Sequence, residues 1–137
     1  MNDIKLMNKA ADNIRILAAS MVEKAKSGHP GGAMGGADFV NVLFSEFLVY
    51  DPKNPAWEGR DRYFQDPGHM SPMLYSVLAL AGKFTIDELK EFRQWGSVTP
   101  GHPEVNVMRG IENTSGPLGQ GHTYAVGAAL PISPPSS

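Results

Sequence analysis

Ile4, Met7, Ala11, Ile14, Leu17, Met21 and Ala25 recur at steps of three and four. That spacing predicts an amphipathic helix over residues 3–26. Lys24 and Lys26 fall in its last turn and Gly28 can supply a left-handed cap, both favourable at a helix C-terminus. The next stretch, "GHPGGAMGG" (28–36), is too glycine-rich for regular structure and reads as a loop. "ADFVNVLFSEFL" (37–48) is apolar around most of its circumference and predicts a largely buried helix. Pro52, Asn54 and Pro55 mark a loop over 49–61, and "RYFQ" (62–65) is a candidate short strand. Ser71 and Pro72 suit the N-cap and first position of a helix running through Met73–Ala81, with Gly82 to end it. Thr85 and Glu88 have capping-box spacing, and Leu89, Phe92 and Trp95 form the apolar face of a short helix stopped at Gly96. Gly116, Gly119 and Gly121 lead into Tyr124–Leu130, an alanine-rich run that reads as the opening turns of a last helix.

Composition narrows the partners. At 137 residues the chain suits one domain, and twelve basic against fourteen acidic side chains leave a formal charge of −2. Neither nucleic acid nor an anionic membrane is expected from that balance. With no cysteine, disulfides and thiolate chemistry are excluded. No apolar run approaches the roughly 20 residues of a membrane span. The first residues lack the continuous apolar core of a secretory signal, so a cytoplasmic location is expected. The sequon Asn113-Thr114-Ser115 is accordingly read as chance.

Fifteen glycines and eleven prolines cluster around the histidines. Three histidines share the same framing: Gly28-His29-Pro30, Pro67-Gly68-His69 and Gly101-His102-Pro103. Glycine admits close approach and proline fixes the chain beside the ring, which limits the wobble of an imidazole that must be aimed. The plainer reading is that glycine and proline mark loops whose histidines are solvated. Three such loops favour a site. Zinc is the obvious competitor, but no pair has the His-x3-His spacing of a helix-borne metal site. Phosphate-loop, dinucleotide and nucleophile-elbow motifs are absent. "GPLGQGHTYAVG" still places main-chain amides beside a helix N-terminus, a geometry suited to anions.

Four segments, "KSGHPGGAMGGADF" (26–39), "RDRYFQDPGHMSPMLYSVLAL" (60–80), "PGHPE" (100–104) and "TSGPLGQGHTYAVGAA" (114–129), occur in an order that resembles the amino-terminal part of transketolase. The resemblance covers about residues 3–130. It implies the mostly helical first part of an α/β thiamine-diphosphate-binding fold, with the central parallel sheet largely missing from this chain. The implied parent reaction moves a two-carbon ketol unit between sugar phosphates with thiamine diphosphate and Mg²⁺ or Ca²⁺. By the same resemblance, His29 and His102 would face the reacting carbons. His69 would sit at the cofactor diphosphate, and main-chain groups of Gly116, Pro117 and Leu118 would line the aminopyrimidine. The proline leaves carbonyls available there. Imidazoles suit these tasks because they exchange protons near neutral pH. No role is given to His122, whose position varies in the family.

Two departures stand out. Gln65-Asp66-Pro67 replaces a segment where many members carry a small hydroxyl residue. Residues 131–137, "PISPPSS", read as an unrelated Pro/Ser tail after a partial domain over 1–130. The family's metal-binding Asp and Asn, its pyrimidine-activating glutamate and its phosphate-gripping basic residues have no counterpart here. No metal ligand is therefore assigned, and the chain alone is expected to be inactive. It is read as a truncated, frameshifted or designed first piece. A homodimer or a complementary transketolase half is the implied partner. The alternatives are one half of a split enzyme and a non-catalytic fragment or interaction module.

Overall fold

Asp3 opens α1 (Ile4–Ala25), its carboxylate accepting from the Lys5 amide at 3.0 Å. The computed structural model describes residues 2–130, and the tail over 131–137 lies outside them. Ala11, Ile14, Ala18 and Met21 form the buried stripe of α1, as the three–four spacing requires. The helix ends at Ala25, one residue short of the expected 26, and Gly28 is not its cap. Lys26 takes the left-handed cap, at φ 50°, and donates to the Glu23 carbonyl.

The glycine-rich stretch is helical. Pro30–Gly35 forms α2, with Pro30 supplying a preset φ at its first position. Gly32 and Gly36 serve packing: a Cβ on Gly36 would lie 2.6 Å from the Met73 sulfur, so α2 can lie directly on the start of a later helix. The predicted 37–48 helix divides into α3 (Ala37–Val42) and a π-helical turn (Leu43–Phe47). It is only half covered. Val40 and Phe44 are buried, whereas Phe39 and Phe47 are 66% and 70% exposed.

A 3-10 turn at Gly68–Met70 leads into α4 (Ser71–Leu80), whose residues 71–78 are all buried. Ser71 is the first helical residue and not the cap, because its hydroxyl donates elsewhere, to the Gly101 carbonyl at 2.7 Å. Gly82, at φ 79°, follows the end of α4 as expected. The capping box of Thr85 and Glu88 opens α5 (Ile86–Lys90). Leu89 and Phe92 are buried, but α5 ends before Trp95, which is fully exposed. The last helix, α6, spans Gln120–Ala129.

No β-strand occurs among the described residues, and the only pairing is an isolated antiparallel bridge between Asn106 and Ile111. "RYFQ" is therefore not a strand. Its residues form no ladder, and Tyr63 donates to the side chain of Gln65, which is almost wholly buried. The core forms between α1, α2, α3 and α4 around Ile14, Val40, Leu74 and Tyr75. Burial lifts the Tyr75 phenol well above its ordinary pKa, keeping it neutral as it donates to the Pro100 carbonyl at 2.8 Å.

Candidate functional site

Every loop that carries a framed histidine is fastened to α4 or its approach. His29 is the N-cap residue of α2, in extended backbone, and α2 rests on Met70 and Met73 of the α4 start. His69 lies in the 3-10 turn that feeds α4. The loop with His102 is held by two α4 side chains, Ser71 donating to Gly101 O and Tyr75 to Pro100 O. Pro103, next in line, is buried, and its carbonyl accepts from Ser115 N at 2.9 Å.

The rings of His29 and His69 consequently stand 4.7 Å apart between centroids, tilted by 46°. His102 is close enough to feel both. Its pKa is pushed below the ordinary histidine value by partial desolvation first, then by the Arg93 cation, His69 and His29. His29 and His102 are exposed and His69 is half-buried, so all three rings are accessible. His102 also borders an open cleft of about 1000 Å³ shared with Ser27, Arg93 and Glu104. A second hollow, about 40 Å³ beside Phe44, Tyr63 and Arg60, holds no imidazole.

The "TSGPL" segment joins the same region through its backbone. A Cβ on Gly68 would meet Ser115 Oγ at 2.8 Å and Gly116 N at 3.1 Å, which shows how closely the two segments pass. Gly116 is thus brought beside the His69 turn. Pro117 and Leu118 stay exposed. The expectation of free carbonyls fails at Pro117, whose carbonyl accepts from the Gln120 amide at 3.2 Å, because the turn into α6 uses it.

Three further groups shape the site without a signal in the linear pattern. Gln65 is buried, its side-chain amide donating to Pro67 O and its backbone carbonyl accepting from Ser115 Oγ. Arg93 reaches from the end of α5 to Ser27 Oγ at 2.7 Å. His122, given no role above, places Nδ1 2.7 Å from the buried Oδ2 of Asp66. No other donor reaches that oxygen among the described residues, and no hydrogen-bond geometry forms there. The pair links the first turn of α6 to the approach of His69, and the Gln65-Asp66-Pro67 departure provides the carboxylate.

The donor set fits an organic cofactor better than a metal. Three accessible imidazoles and a close-packed main-chain seam can hydrogen-bond a polar ligand. No cluster of three imidazole or carboxylate groups able to hold a metal ion occurs among the described residues. The sequence profile described as the transketolase thiamine diphosphate binding domain matches residues 6–132, which sets the class of this segment as a cofactor-binding domain. Within that class the chain belongs to the transketolase family.

The chain is 53% identical over 126 residues to transketolase from Buchnera aphidicola subsp. Baizongia pistaciae, across 91% of this chain and 19% of that protein. It resembles the crystal structure of Campylobacter jejuni transketolase with a TM-score of 0.86 at 48% identity, over 92% of this chain and 20% of the other. Transketolase from Pichia stipitis in complex with sedoheptulose-7-phosphate aligns at TM-score 0.84 and 45% identity, over 88% and 18% respectively. The chain is therefore an amino-terminal segment spanning under a fifth of the length of its curated relatives, 19% in the Buchnera case. The mostly helical architecture, with no sheet among the described residues, agrees with that position in the family.

Proposed function

We propose that this segment supplies part of the cofactor and donor-sugar site of a transketolase acting on sugar phosphates. The observation that carries the reading is the convergence of His29, His69 and His102, from three separate loops, onto one accessible rim. The sugar-phosphate complex of the Pichia stipitis relative supports the substrate class. Thiamine diphosphate, when bound, supplies the carbon nucleophile for ketol transfer. His69 donates a hydrogen bond to the diphosphate end, and main-chain groups of Gly116 and Leu118, with the second lone pair of the Pro117 carbonyl, face the aminopyrimidine. His29 and His102 orient hydroxyls and move protons at the reacting carbons. The depressed pKa of His102 suits this work, since a larger neutral fraction near pH 7 can accept a proton. The divalent ion, Mg²⁺ or Ca²⁺, is held by residues outside those described, and a second transketolase chain or half completes the site. A cytoplasmic setting follows from the same reading.

The test uses a transketolase-length protein carrying this segment, assayed with xylulose and ribose phosphates. His69→Ala weakens thiamine diphosphate binding about tenfold or more, while His29→Ala and His102→Ala lower turnover with little change in cofactor affinity. Altered cofactor affinity alone in all three variants would refute the division of roles. The 137-residue chain by itself stays at background with saturating cofactor and Mg²⁺, and turnover proportional to its concentration contradicts this.

A further inference from the structure

Arg93 is held in a conformation that stability alone does not favour. Its φ is 61°, in the left-handed region that costs a non-glycine residue about 1 kcal/mol or more. Its Nε is buried without a hydrogen-bond partner among the described residues. Gly101 passes so close that a Cβ there would lie 2.8 Å from Nε. These three features place one guanidinium in the seam between two histidine loops. Nη1 donates to Ser27 Oγ at 2.7 Å, two residues before His29. Nε and the guanidinium carbon abut Gly101, which precedes His102. The Arg93 amide also donates to Thr99 O at 3.0 Å, pinning the start of the His102 loop to the end of α5.

We infer that Arg93 is a positioning residue that sets His29 and His102 relative to each other by bridging Ser27 and Gly101. This rests on the reacting-site reading of the two imidazoles given above. A planar guanidinium can touch both loops at once, with Nη1 on one and Nε against the other, whereas a lysine ammonium is a single point donor. The charged and titratable groups facing His102 are Arg93, His69 and His29, with Glu104 on the same cleft.

The experiment follows the imidazole resonances of the 137-residue chain by NMR without cofactor, across a pH titration, in the wild type, Arg93→Met, Arg93→Lys and Ser27→Ala. Arg93→Met shifts the ring signals of both His29 and His102 and moves the His102 titration to higher pH, leaving His122 unchanged. Arg93→Lys restores the His102 titration through its charge but not the ring positions, a split that a purely structural role does not produce. Ser27→Ala disturbs His29 alone and tests the bridge even where an Arg93 variant fails to fold. Unchanged His29 and His102 signals in a folded Arg93→Met chain, or unchanged His29 in Ser27→Ala, overturn the inference. Thiamine diphosphate titrated separately into the wild type reports on the functional reading, so the two can fail independently.

Discussion

Ser115 Oγ donates to the Gln65 carbonyl at 2.8 Å, joining two segments fifty residues apart in the sequence. This bond and the Asn113 side chain, which accepts from Gln65 N at 3.3 Å, hold the "TSGPL" turn against the approach to His69. Gly68 lies at the closest point. In Gly68→Ala the new methyl meets Ser115 Oγ and the Gly116 amide, which is backbone and cannot swing away. The expected cost is about 1–3 kcal/mol, with displacement of the His69 ring signal. Urea unfolding and imidazole NMR measure both, and an unchanged midpoint would mean that the seam opens freely.

Arg60 and Glu112 make a two-pronged ion pair at 2.7 and 3.0 Å, with side chains only 10% and 9% exposed. Removing one partner leaves a buried charge alone. Glu112→Ala should therefore destabilise by about 3 kcal/mol or more, while an Arg60→Met, Glu112→Leu double variant costs much less. Equal losses in the single and double variants, read from denaturant midpoints, would show that packing dominates over charge.

Acid should weaken the fold through Glu88. Its carboxylate accepts from Arg109 and from the Thr85 amide, and these bonds hold its pKa down at about 2, from an ordinary 4.5. Between those values the unfolded chain binds more protons, so this contribution is present above pH 4.5 and is lost as pH falls toward 2. Glu88→Gln should be less stable at pH 7 by about 1–2 kcal/mol, with a flatter acid limb. Stability curves that stay parallel for the two chains from pH 7 to pH 2.5 would contradict this.

Self-association is expected through α3 and the π-helical turn, where Phe39, Val42 and Phe47 face outward. Covering a phenylalanine is worth roughly 1.5–3 kcal/mol, enough to favour pairing of such faces at high concentration. Most of α4 is withheld from this surface because residues 71–78 are already buried within the chain, and only Leu80 at its end stays exposed. Phe39→Lys with Phe47→Glu should shift light scattering toward monomer. Undiminished scattering in that double variant would move the contact elsewhere, for instance to the exposed Trp95.

Short-range features were decided by the sequence itself. The α1 stripe, the Thr85–Glu88 capping box and the glycine after α4 depend on residues three or four apart, so their physics is contained in any local window. The framing of His29, His69 and His102 by glycine and proline was legible for the same reason. Tertiary structure decided what the glycines are for. The 28–36 stretch holds a helix whose bare Gly32 and Gly36 pack against Met70 and Met73, and no local pattern announces a neighbour nearly forty residues away. It also left Trp95 in solvent by ending α5 early, set His122 against Asp66, and drew Arg93 into the seam between two loops. The last two are meetings of residues far apart in the chain, determined only once the helices had packed and fixed where the loops could run.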